Sequence, residues 1–137
     1  MDEKITIRKA NIEDLQQIQN LNKLLFELEF ENYDSTENGI TLVAIIDGEI
    51  AGYLIGSLNT QNTYNKYKQA ELDNMCILEE YRKLGIGSRL FEEFKTICKE
   101  NDIKELKVVA SYKNTNAINF YKKNGFEEAD ITLKQSL

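Results

Sequence analysis

The segment Arg82-Lys83-Leu84-Gly85-Ile86-Gly87 sets a fixed positive charge just ahead of a Gly-x-Gly pair. The extended-looking run Glu71 to Leu78 precedes it, and Leu90, Phe91, Phe94, Ile97 and Cys98 follow at helical spacing. Strand, short glycine loop and helix N-terminus together present free backbone N–H groups to a phosphate. The glycines let the backbone turn tightly and approach a ligand with no side chain in the way. The same pattern also serves as a plain strand-to-helix turn. The third glycine of a dinucleotide-binding fingerprint is missing, and no Gly-Lys-Ser/Thr follows as in a P-loop. Read with Arg82 and the strand before it, the loop is a candidate cradle for a pyrophosphate.

Histidine is absent, which removes Ser-His-Asp and Cys-His machinery and most zinc sites. A general base must then be a carboxylate, a tyrosine, a lysine, a terminal amine or water. Cys76 sits in an expected core strand and Cys98 on an apolar helix face; both read as buried small hydrophobes rather than disulfide or metal partners. The net charge of −6 argues against a general nucleic-acid binder and favours cationic partners such as amines. No apolar run is long enough to span a membrane, no secretory signal is evident, and the cytoplasm is the expected location.

The 137 residues read as one domain with no linker, repeat or low-complexity stretch. Lys4 to Lys9 alternates as a first strand. Asn11 caps a helix, with Asp14 placed as in a capping box, and Ile12, Leu15, Ile18, Leu21, Leu25 and Leu28 form its apolar stripe. Ile40 to Ile46 and Ile50 to Leu58 flank Asp47-Gly48, a hairpin signal. Gln69 to Leu78 is the fourth strand and Glu105 to Ala110 the fifth. Asn114 to Asn124 is a helix closed by Gly125, and Phe126 to Leu133 a last strand. The order β-α-β-β-β-α-β-α-β implies an α/β (α+β) domain: a mixed sheet of about six strands with helices on both faces. The unit from 69 to 110 should form a parallel crossover.

The stretch Asn114-Thr115-Asn116-Ala117-Ile118-Asn119-Phe120-Tyr121, followed by Gly125-Phe126, completes a resemblance. With Arg82, Gly85 and Gly87 it is similar to the paired signatures of the GNAT superfamily of acyl-CoA-dependent N-acyltransferases. The resemblance covers essentially the whole chain, 1–137, and is strongest from residue 69 to 126. It implies a GNAT-like, mostly antiparallel sheet with parallel, splayed fourth and fifth strands. It also implies acetyl-CoA as cosubstrate and no metal. The amides of Lys83, Leu84, Gly85, Ile86, Gly87 and Ser88 would hold the pyrophosphate. Main-chain groups of Met75, Cys76 and Ile77 would pair with the pantetheine arm, and one N–H would polarise the thioester carbonyl. Asn114 would contact the cofactor or simply cap its helix.

Tyr121 aligns with the family's general acid, which protonates the departing thiolate; the plainer reading is a helix tyrosine packing beside Phe120. Glu71 stands where one branch of the family places its base, with Asp73 on the same strand face by alternation; a solvated strand residue is the plainer reading. Tyr53 and Tyr33 either line an acceptor pocket or pack. Glu27, Glu29, Glu31, Asp34 and Glu37 either attract a cationic acceptor or form a solvated face. Two departures from the family are Glu79, where proline is usual, and a short connection from Asn32 to Gly39. The expected activity is acetyl transfer to a primary amine of a small molecule or a protein, by direct attack in a ternary complex. A non-catalytic acyl-CoA sensor is the alternative. The resemblance leaves a homodimer open.

Overall fold

The computed structural model of the protein describes residues 4–21, 39–58 and 68–137. Five strands form one sheet in sequence order: β1 (Ile5–Lys9), β2 (Gly39–Ile46), β3 (Glu49–Ser57), β4 (Gln69–Ile77) and β5 (Glu105–Val108). The first four are antiparallel neighbours, and β4 and β5 are parallel. Three helices are described: α1 (Ile12–Leu21), α2 (Ile86–Glu100) and α3 (Thr115–Lys123). The expected α/β class, the mixed sheet and the parallel fourth and fifth strands are all present.

Local chemistry explains most of these elements. Asp47 and Gly48 both take positive φ, 51° and 79°, as a two-residue hairpin turn between twisted strands requires. The capping box forms as read: Asp14 N–H donates to Asn11 Oδ1 at 2.9 Å, and Asn11 N–H donates to Asp14 Oδ2 at 2.8 Å. Arg8 adds a salt bridge from β1 to the same Asp14 carboxylate at 2.5 Å. That guanidinium is the main reason the Asp14 carboxyl stays below its usual range.

Two apolar cores lie on opposite faces of the sheet. Ile86, Leu90, Phe91, Phe94, Ile97 and Cys98 of α2 pack over Leu42, Leu54 and Leu72 on one face. Ile18 and Leu15 of α1 cover Val43, Tyr53 and Ile55 on the other. Tyr53, 1% exposed, belongs to that second core, so it packs rather than lining an open pocket.

Two expectations are corrected. Ile12 is 75% exposed and does not join the buried stripe. It stands at the first helical position, and Leu15 and Ile18 are the residues of α1 that engage the core among those described. The expected sixth strand over Phe126 to Leu133 does not form a ladder with any described residue, so the sheet has five strands. Its period-two pattern is real, but no described residue pairs with it. Leu21, Leu25, Leu28, Tyr33, the acidic residues from Glu27 to Glu37 and the connection from Asn32 lie wholly or by their side chains outside the described residues.

Candidate active site

Strands β4 and β5 run together only briefly. Their ladder pairs Gln69 with Glu105 and ends at Leu72 with Val108. Beyond that point β4 continues to Ile77, held on its other side by β3 through Gly52. The β5-facing edge of residues 73–77 therefore carries main-chain donors and acceptors with no described strand opposite. The strands part, as the resemblance implied.

A bulge sits at the parting point. Ile55 pairs with Asn74 and Gly56 with Leu72, so Asp73 is an extra residue in β4. One consequence is a break in alternation. Ala70 and Leu72 join the α2-side core, yet so do Met75 and Ile77, while Cys76 packs on the α1 side. The bulge thus re-aims the last turns of β4 toward the helices that follow.

The opening between the strands is a cleft of about 460 Å³ lined by Met75, Cys76, Ile77, Arg82, Asn116, Ala117, Phe120 and Tyr121. At its mouth β4 ends in a 3₁₀ turn, Glu79–Tyr81, entered from extended Leu78. Glu79 occupies the first position of that turn, where proline would also fit, so its identity does not disturb the path. Arg82 Nε donates to the Ile77 carbonyl at 3.2 Å and fixes the loop to the strand end.

The chain then reverses into α2. Lys83 (φ 71°) and Gly85 (φ 77°) are left-handed, and Gly85 is the N-cap of α2 without a side-chain cap. A Cβ at Gly85 would meet nothing within 4 Å, so the loop faces open space. The first backbone bond of the helix is Arg89 N–H to Gly85 carbonyl at 3.1 Å. The N–H groups of Ile86, Gly87 and Ser88 are thus the unpaired donors at the positive end of the helix dipole. Ile86 is buried and anchors the turn, while Lys83, Leu84 and Ser88 are exposed around it. Gly87 faces Phe120 and Met75, whose atoms lie 3.7–3.8 Å from where its Cβ would be.

Tyr121 closes the far wall. Its ring meets Phe120 and Phe126 edge-on, both at 5.6 Å between centroids. Burial raises its phenol pKa, so it stays protonated at neutral pH. Its hydroxyl makes no hydrogen bond to a described residue, and the side chain lines the cleft. Met75, Cys76, Ile77, Arg82 and Tyr121 are therefore brought together. Asn116, Ala117 and Phe120 join them; their spacing with Tyr121 along α3 is the helical signal that could have found them.

Glu71 and Asn114 do not line the cleft. Asn114 is the exposed N-cap of α3, its Oδ1 accepting from Ala117 N–H at 3.2 Å. Glu71 sits in the paired part of β4, opposite Ser57 and Lys107. Its carboxyl pKa is raised, first by burial and then by the Asp73 charge, against a lowering by Lys107. Asp73, at the bulge, accepts from Ser57 Oγ at 2.7 Å. Cys98 is deeply buried with its thiol pushed up to about 11, an inert core residue. Among the described residues no group of three His, Cys, Asp or Glu side chains is disposed to hold a metal, and no helix is long and apolar enough to cross a membrane.

The chain matches the acetyltransferase (GNAT) family over residues 9–126. It is 31% identical over 136 residues to an N-alpha-acetyltransferase of Sulfurisphaera tokodaii, covering 91% of this chain and 81% of that one. A second N-alpha-acetyltransferase, from Saccharolobus solfataricus, is 26% identical over 92% of this chain and 82% of its own length. The aminoglycoside N-acetyltransferase AAC(6')-Iy, solved in complex with CoA, superposes with a TM-score of 0.85 at 18% identity, covering 100% of this chain and 97% of that one.

Proposed function

The chain belongs to the GNAT acetyltransferase family and is an acetyl-CoA-dependent N-acetyltransferase, and we propose that its acceptor is the α-amino group of a polypeptide. The observation that carries the placement of the chemistry is the parting of β4 from β5 at Leu72 and Val108, with the Tyr121 phenol in the cleft wall and Gly87 of the α2 N-terminus facing Met75 and Phe120 of that wall. Acetyl-CoA supplies an activated acetyl thioester. The residues present suit it: an anion for the open Gly85 loop, and an amide-bearing arm for the bare edge of 73–77.

The protein's own groups then act as follows. The amides from Lys83 to Ser88 hold the diphosphate, and Arg82 keeps that loop tied to Ile77. Main-chain groups of Met75, Cys76 and Ile77 align the acyl end and offer an N–H to its carbonyl oxygen. Tyr121 gives its proton to the departing sulfur. Direct attack needs both reactants bound at once, and this positioning supplies much of the acceleration.

The choice of acceptor rests on the base. Among the described residues, no carboxylate lines the cleft. Glu71 lies four residues before Met75, roughly 13 Å along the strand at ~3.3 Å per residue, so it acts through water. An α-amine, pKa about 7.8, is already about one-seventh neutral at pH 7, whereas a lysine amine is neutral in only about one molecule in 2,500. A remote, water-relayed carboxylate suits the first. The similarity to two N-alpha-acetyltransferases favours the same acceptor. The unpaired thiols of Cys76 and Cys98 suit a reducing compartment, so we place the reaction in the cytoplasm.

The test uses paired peptides, one with a free α-amine and no lysine, the other α-blocked with one lysine. Loss of thioester absorbance and mass gain are followed with each. Acetylation of the first alone is expected. Exclusive acetylation of the lysine peptide would overturn the acceptor; tight acetyl-CoA binding without transfer to any amine would favour a sensor.

A further inference from the structure

Asn74 is a polar residue that the fold turns away from its regular place. In an unbroken strand, alternation from Ala70 and Leu72 would set it on the α2 face, inside the larger core. The bulge at Asp73 shifts the phase by one residue. Asn74 then stands opposite Ile55 and shares its face, which belongs to the α1-side core. The side chain is half-buried there. Its Nδ2 is buried and finds no hydrogen-bond partner among the described residues. A desolvated donor left unpaired is costly, and each one in a native fold calls for an explanation.

The neighbouring groups indicate where a partner would come from. Met75 and Ile77 belong to the α2 side, and Gly87 of the glycine turn faces Met75. A cofactor held by that turn approaches from the α2 face. The acceptor is left the other face, where Cys76 lines the cleft and stands opposite Tyr53. Asn74 precedes Cys76 on that same face, two positions or ~6.6 Å back along the strand. Ser57 Oγ donates to Asp73 at 2.7 Å and pins the bulge that aims Asn74. In a polypeptide the first carbonyl oxygen lies roughly 3 Å from the α-nitrogen, and a hydrogen bond adds ~2.9 Å. Together these nearly match the spacing from Cys76 to Asn74. A lysine side chain carries no carbonyl so close to its nitrogen.

We propose that Asn74 is a specificity-determining residue: its Nδ2–H donates to the first carbonyl oxygen of the acceptor polypeptide and so aims the α-nitrogen at the thioester. This deepens the acceptor reading given above and rests on it. An amine without that carbonyl leaves the donor buried and unpaired, which is how a site built to hydrogen-bond its substrate rejects an analogue.

The test compares two acceptors, a short lysine-free peptide with a free α-amine and the same peptide with its first amide replaced by a trans-alkene, which keeps the shape and lacks the carbonyl. Each is assayed by steady-state thioester consumption with wild type and with Asn74→Leu, a variant of similar shape without the donor. Wild type should show a KM about tenfold lower for the amide peptide than for the alkene. In N74L the KM for the amide peptide should rise about tenfold to meet the alkene value, with kcat within about twofold. The thermal midpoint of N74L should equal or exceed that of wild type, because an unpaired donor has been removed, and acetyl-CoA affinity should hold. A purely structural role would lower the midpoint and leave the ratio between the two acceptors unchanged. Wild type that acetylates the amide peptide while N74L retains the same preference would overturn the role of Asn74 alone. Wild type that leaves the free α-amine untouched would overturn the acceptor reading and this inference together, before any variant is made.

Discussion

Tyr121→Phe removes one oxygen and leaves the aromatic packing in place. The ring contacts with Phe120 and Phe126 at 5.6 Å do not involve the hydroxyl. That hydroxyl is desolvated enough to raise its pKa and has no described hydrogen-bond partner, so its loss should alter stability by no more than about 0.5 kcal/mol. General acid catalysis is typically worth ~10² to ~10⁴ in rate. A thiolate is a fair leaving group, which puts the effect here near ~10², about 2.7 kcal/mol of barrier. The assay is steady-state thioester consumption with a saturating peptide, alongside calorimetric binding of acetyl-CoA. The expected result is kcat down about a hundredfold with Kd for acetyl-CoA within about twofold. The pH dependence carries a sign. Because burial lifts the phenol above its usual 10, the acid form persists past that pH, and no alkaline loss of kcat from Tyr121 should appear below it. An unchanged kcat would remove Tyr121 from proton transfer. Equal losses in kcat and in acetyl-CoA affinity would make it a positioning residue.

The glycine loop offers a paired test. Gly85→Ala forces a Cβ into φ 77° and should cost about 1–2 kcal/mol, lowering Tm by several degrees in a thermal scan. Gly87→Ala should leave Tm nearly unchanged, because its Cβ finds only ordinary contacts at 3.7–3.8 Å. Gly87→Glu should weaken acetyl-CoA binding at least tenfold; undiminished affinity would move the diphosphate elsewhere. Asp14→Asn should destabilise by about 1–2 kcal/mol through the lost ion pair and weakened capping box. Asp14 is held below its ordinary 3.8 when folded, so its contribution is full above that pH and lost as pH falls through the lower folded value. The gap between wild type and D14N, read by denaturant unfolding, should therefore close in strong acid. Glu71 has the opposite sign. Its folded pKa lies above 4.5, so its ionisation costs stability as pH rises through that window, and Glu71→Gln should flatten this slope. If Glu71 also serves as the relayed base, the acid limb of kcat/KM should disappear with it.

The elements set by local chemistry were legible in the chain. Asp47-Gly48 forces its own turn, since few other pairs accept two positive φ values. Asn11 and Asp14 satisfy each other's N–H within one turn, and α2 is written by six apolar residues on one stripe. Arg82 and the Asn114 to Tyr121 signature pointed to the cleft that Arg82 and Tyr121 line, while Asn114 caps α3 outside it. The roles of Tyr53 and Glu71 were less legible. Alternation says which face a residue takes, but not whether that face is open, and only packing against α1 showed Tyr53 to be core.

The residues alone determined a mixed sheet with a glycine turn into α2 and a short helix carrying Tyr121, because turns, caps and helix stripes are decided within a few neighbours along the chain. Tertiary structure decided where β4 lets go of β5, the bulge at Asp73 that turns Met75 and Ile77 toward α2, and the fate of the final strand. Those depend on which distant backbone groups find a partner. A strand pattern declares a readiness to pair, and the amphipathic run from Ala129 to Leu137 has that pattern yet pairs with no described residue of the chain.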